Sequence, residues 1–77
     1  MNFNIRGAVL HNVKEMEETE IVSMIQESIQ NGEEKFLPGL GVLFEVIWNH
    51  SDQHARDTMI HTLHDQLEQS NPSPFIG

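Results

Sequence analysis

The sequence predicts a small all-α protein, a bundle of about four short helices around an apolar third helix. Three observations point there. Apolar residues recur at helical spacing in separate stretches of the chain. Glycine and proline fall between those stretches, where helices end. No two segments read convincingly as strands that could pair, and an isolated strand has nowhere to place its backbone hydrogen bonds.

Taken in order, the first helix is expected over residues 4–13, where Ile5, Val9 and Val13 recur at spacing four with Ala8 beside them. Gly7 weakens it, by about 1 kcal/mol relative to alanine. Residues 14–18 read as a solvated turn. A second helix is expected over 19–31, starting near Glu18 or Thr19, with Ile21, Met24, Ile25, Ser28 and Ile29 on its inner side. Its acidic beginning suits the positive pole of the helix dipole, and Asn31-Gly32 supplies a residue type able to close it in a left-handed conformation. Lys35-Phe36-Leu37-Pro38-Gly39 reads as a turn around its Pro-Gly pair.

The third helix is expected over 40–50. Leu40, Leu43, Phe44, Ile47 and Trp48 follow helical spacing, and Val42 and Val46 are apolar as well, leaving Gly41, Glu45 and Asn49 as the one non-apolar edge. Such a helix should be covered on most sides, with water unable to reach it. A buried strand is the rival reading, since valine, isoleucine, phenylalanine and tryptophan also suit strands. Helix is preferred because no second strand exists to pair with it. The fourth helix is expected over 53–69, capped by Ser51 or Asp52, with Met59, Ile60, Leu63 and Leu67 as the buried stripe. Residues 1–69 then form one helical domain. Residues 70–77, with Pro72 and Pro74 among small polar residues, are expected to be a flexible tail.

Composition narrows the function. The 77 residues allow one domain, and the absence of cysteine excludes disulfides and thiolate metal sites. No stretch reads as a secretory signal or a membrane span, so a cytoplasmic location in a reducing compartment is expected. The net charge is −8, and four scattered cations, Arg6, Lys14, Lys35 and Arg56, form no basic stripe. Nucleic acid and anionic membranes are therefore disfavoured as partners. In strong acid the carboxylates would be neutral and the five histidines charged, giving roughly +9 on side chains by reference pKa values. Copies would then repel one another and stay in solution.

Chemistry finds little purchase. Gly39-Leu40-Gly41 lacks the third glycine, preceding strand and following Lys-Ser/Thr of a phosphate loop, so a packing role is preferred. His50 with His54, His61 with His64, or His54 with Asp57 and His61 could meet on one side of the last helix, yet no other segment supplies a further ligand. Neither a metal nor any other cofactor is expected. There is no cysteine, no glycine-framed serine, and little volume for a catalytic pocket, and the adjacent glutamates Glu17-Glu18 and Glu33-Glu34 read as solvated surface, so no enzyme activity is expected. The candidate interaction residues are Phe44, Glu45, Ile47 and Trp48. Trp48 reads first as core, with interface anchor as its functional alternative. Glu45 reads as the solvent-facing edge, or else as a polar contact beside that anchor.

Two blocks carry a resemblance. Gly32-Glu33-Glu34-Lys35 followed by Leu37-Pro38-Gly39-Leu40-Gly41-Val42-Leu43-Phe44-Glu45-Val46-Ile47-Trp48 resembles the core of the small acid-soluble spore protein I family. Asn4-Ile5-Arg6, Ala8-Val9 and Asn12-Val13 resemble its opening segment, and the likeness runs over about residues 1 to 68. Phe36, where methionine would be expected, the histidine-rich last helix and the proline-containing tail depart from it. The resemblance implies a non-enzymatic minor protein of the spore core, made in the forespore during sporulation. It brings no catalytic or ligand-binding residue with it, and neither DNA coating nor amino-acid storage follows from the label shared with the major spore proteins. The alternative is a small acidic adaptor or inhibitor that binds a protein partner through the third helix. A homo-oligomer is a further expectation, because ordering so short a chain costs at least as much as its own burial returns.

Overall fold

In the computed structural model, which describes residues 4–70, the order of elements is α1 (Ile5–Val13), α2 (Glu18–Asn31), a single 3-10 turn (Glu34–Phe36), α3 (Leu37–Asn49) and α4 (Gln53–Ser70). No strand occurs among the described residues, so the protein is all-α and the rival strand at 42–48 is excluded. Residues 71–77, most of the expected tail, lie outside the described residues.

α1, α2 and α4 each begin at a recognisable cap. The Asn4 side-chain Oδ1 accepts from the Gly7 N–H at 2.8 Å. A Cβ on residue 7 would sit 2.7 Å from Asn4 Nδ2, so the glycine that lowers helix propensity also makes room for the cap. α2 starts at Glu18, where the Glu20 carboxylate reaches back to accept from the Glu17 N–H at 3.0 Å. Of the two residues proposed to cap α4, Asp52 does so, accepting from the Ala55 N–H at 2.9 Å. Gly32 ends α2 with φ +72°, and its N–H reaches the Ser28 carbonyl at 3.4 Å.

The expected turn at 35–39 is corrected. Gly32 and Glu33 separate α2 from the 3-10 turn, and Pro38-Gly39 lies within the first turn of α3. A proline is tolerated there because backbone N–H groups in a helix's first turn have no intrahelical acceptor to lose.

The chain divides between Ile47 and Trp48 into two compact units. The first holds α1, α2, the 3-10 turn and most of α3. Val42 is its one buried residue among those described, at 8 % exposure, and Val9, Val13, Met16, Ile21, Met24, Ile25, Leu40 and Leu43 are half-buried. These are mostly the residues at helical spacing in the sequence, but Ile5 and Ile29 are exposed, Ile29 by 62 %. The expectation that α3 would be covered on most sides is also corrected: Leu37, Phe44 and Ile47 are 60 %, 48 % and 49 % exposed. A nine-residue and a fourteen-residue helix can lie against only part of its circumference.

The second unit contains the end of α3 and α4. Met59 is half-buried, whereas Ile60, Leu63 and Leu67 are exposed, contrary to the expected buried stripe. A helix cannot bury a stripe against itself, and α4 is the one long helix of its unit.

Replacing Gly32 with alanine forces a Cβ into the left-handed region. Urea denaturation of Gly32→Ala is expected to show a loss of about 1 kcal/mol with an unchanged denaturant slope.

Candidate functional site

The four candidate interaction residues occupy one and a half turns of α3 but fall into different settings. Phe44 and Ile47, three positions apart on the helix, are both about half exposed. Glu45 is half-buried and engaged within the molecule: Arg6 Nε donates to its Oε1 at 2.6 Å and Arg6 Nη2 to its Oε2 at 3.1 Å. This fork-to-fork pairing ties α1 to α3 across 39 residues of sequence. The charge-assisted bonds from Arg6 hold the Glu45 carboxyl below the usual glutamate range, and the same bonds raise the Arg6 guanidinium above its ordinary value.

Trp48 belongs to the second unit, half-buried. The Arg56 guanidinium carbon lies 5.2 Å from its ring centroid, and Arg56 Nε donates to the Trp48 carbonyl at 2.8 Å. One side chain thus covers the indole face and satisfies a carbonyl at the end of α3, where the helix's own N–H groups have run out. The sequence reading missed both arginines, treating them only as scattered cations. A signal for Arg6 was present: Glu45 is the one ionisable residue of α3 and sits among apolar neighbours, so it calls for a cation from elsewhere.

An apolar groove of about 410 Å³ runs along the first unit, walled by Val9 and Val13 of α1, Met24 of α2, and Phe36, Leu40 and Leu43 around the start of α3. Lys35 stands on its rim, 3.5 Å from Glu33 and 5.5 Å from the Phe36 ring centroid. Two of the three histidines of α4 lie beside carboxylates of their own helix, His61 with Asp65 at 3.3 Å and His64 with Glu68 at 3.6 Å. Among the described residues no three histidine or carboxylate side chains are grouped so as to share a metal ion, and no helix is long and apolar enough to cross a membrane.

Residues 3–67 match the family described as small, acid-soluble spore protein I. The chain belongs to that family. Among its relatives, the small, acid-soluble spore protein I of Bacillus cytotoxicus is 52 % identical over 68 residues, which cover 88 % of this chain and 97 % of the relative. The Geobacillus kaustophilus member is 45 % identical and a Bacillus cereus member 49 % identical, each over 69 residues that cover 90 % of this chain and the whole of the relative. No solved structure is significantly similar. This family member is therefore a sporulation protein of the spore, and its family is named for acid solubility, not for an enzymatic reaction.

Two outcomes follow from the geometry. The stability that the Arg6–Glu45 pair contributes is present above the ordinary glutamate value and lost as pH falls through the depressed value of Glu45. A double-mutant cycle with Arg6→Ala and Glu45→Ala should accordingly give a favourable coupling at pH 7 that declines as pH falls below the ordinary glutamate range. Arg56→Ala should uncover the chain's single tryptophan, shifting its emission to longer wavelength and costing about 0.5–1 kcal/mol as read by urea denaturation.

Proposed function

We propose that this family member is a non-enzymatic structural or accessory component of the spore core, produced in the forespore. The observation that carries this reading is the extent of the family match, which takes in 97 % or more of the length of relatives named as spore proteins. The physical character of the chain supports it. A net charge of −8 at neutral pH gives way to a strongly positive charge in acid, so copies repel one another at both extremes. The few cations direct the protein toward other proteins, including copies of itself, and away from nucleic acid and anionic lipid.

The exposure of Phe44 and Ile47 on α3 favours a second reading, a small acidic adaptor or inhibitor that captures a protein partner on that helix. Glu45 then acts from within, holding α1 in place, while the apolar neighbours make the contact.

Fractionation of sporulating cells separates these readings. The structural role predicts abundant protein in the forespore and the spore core, and spores that form without it but differ in resistance, germination or outgrowth. Detection in vegetative cells alone would reject it. A heteromeric complex of fixed stoichiometry in forespore extract, weakened by Phe44→Ala, would favour the adaptor.

A further inference from the structure

We propose that α1 is an acid-released strap, latched to α3 by Arg6 and Glu45 and able to leave while α2 and α3 remain helical. A helix of nine residues is marginal on its own, so α1 is helical because it is docked. Its docking contacts are thin. None of its residues is buried, and Val9 and Val13 are half-buried against the groove that α1 helps to wall. Val9 lies close to α3 at Gly39, where a Cβ would meet Val9 Cγ2 at 3.9 Å. The tie with direction and charge is the pair of bonds from Arg6 to Glu45, at 2.6 and 3.1 Å.

The latch lies where one proton changes it. Glu45 is the one ionisable residue of α3, and the group facing it from α1 is Arg6. On α2 the carboxylates Glu18, Glu20 and Glu27 are exposed, and Lys35 of the 3-10 turn is paired with Glu33. Protonating Glu45 leaves a neutral carboxyl that can accept from the guanidinium without attracting its charge. Residues 14–17, which lie between α1 and α2, give the strap a short tether. In the docked chain Val42 is buried and Met24, Ile25 and Leu43 are half-buried, and α2 is fourteen residues long with its own capping box and Gly32 end, so the ends of α2 do not depend on α1. Free-energy differences within one domain commonly permit such sub-global opening.

The test is an NMR titration of the full chain from pH 7 to pH 2, following backbone secondary shifts of α1, α2 and α3 and the contact between Val9 and Gly39. In the wild type, α1 is expected to lose its helical shifts and the Val9–Gly39 contact at a pH where α2 and α3 keep theirs. Glu45→Gln should show the same selective loss at pH 7, and the exchanged pair Arg6→Glu with Glu45→Arg should restore α1. Simultaneous loss of all three helices in the wild type would overturn the proposal. So would a Glu45→Gln protein that keeps α1 docked at pH 7, one that unfolds altogether, or failure of the exchanged pair to restore α1.

Discussion

The architecture of the first unit depends on covering α3. That helix is apolar around nearly its whole circumference, with Glu45 its one ionisable residue, and the chain provides two short helices to lie against it. They bury Val42 and partly cover Leu40 and Leu43. Two helices cannot close around a third, so Leu37, Phe44 and Ile47 remain well exposed. Burial around one valine is a small core, and stability in so short a chain accordingly leans on caps, on the end of α2 at Gly32 and on the Arg6–Glu45 pairing.

The two arginines show how a chain poor in cations uses them. Arg6 takes the only carboxylate of α3 and thereby joins the first helix to the third. Arg56 covers the only tryptophan and satisfies a carbonyl near a helix end. Both guanidiniums do what lysine could not do equally well, since the planar fork matches a carboxylate in two places and stacks on a ring while donating elsewhere. In a protein with twelve carboxylates, these two cations are committed to intramolecular structure.

Family membership and fold are complementary. The match over residues 3–67 assigns a spore protein, and its name records behaviour in acid. The charge arithmetic is compatible with that name: by reference pKa values a net charge of −8 at neutral pH becomes roughly +9 on side chains in strong acid, a sign and size at which like copies repel.

The sequence by itself determined the helical class, the end of α2 at Gly32, a cap for α4 at Ser51 or Asp52, the start of α2 near Glu18 and the family, because each rests on local spacing, on a residue's own backbone preference or on an unbroken block of residues. It misplaced the turn at Pro38-Gly39, since proline can either stop a helix or start one, and only the chain on both sides decides which. It also overstated the burial of α3 and α4. Periodicity tells which residues would benefit from leaving water, but not whether enough neighbouring surface exists to receive them. The pairing of Glu45 was likewise visible only in three dimensions, where folding brings Arg6 from 39 residues away to meet it.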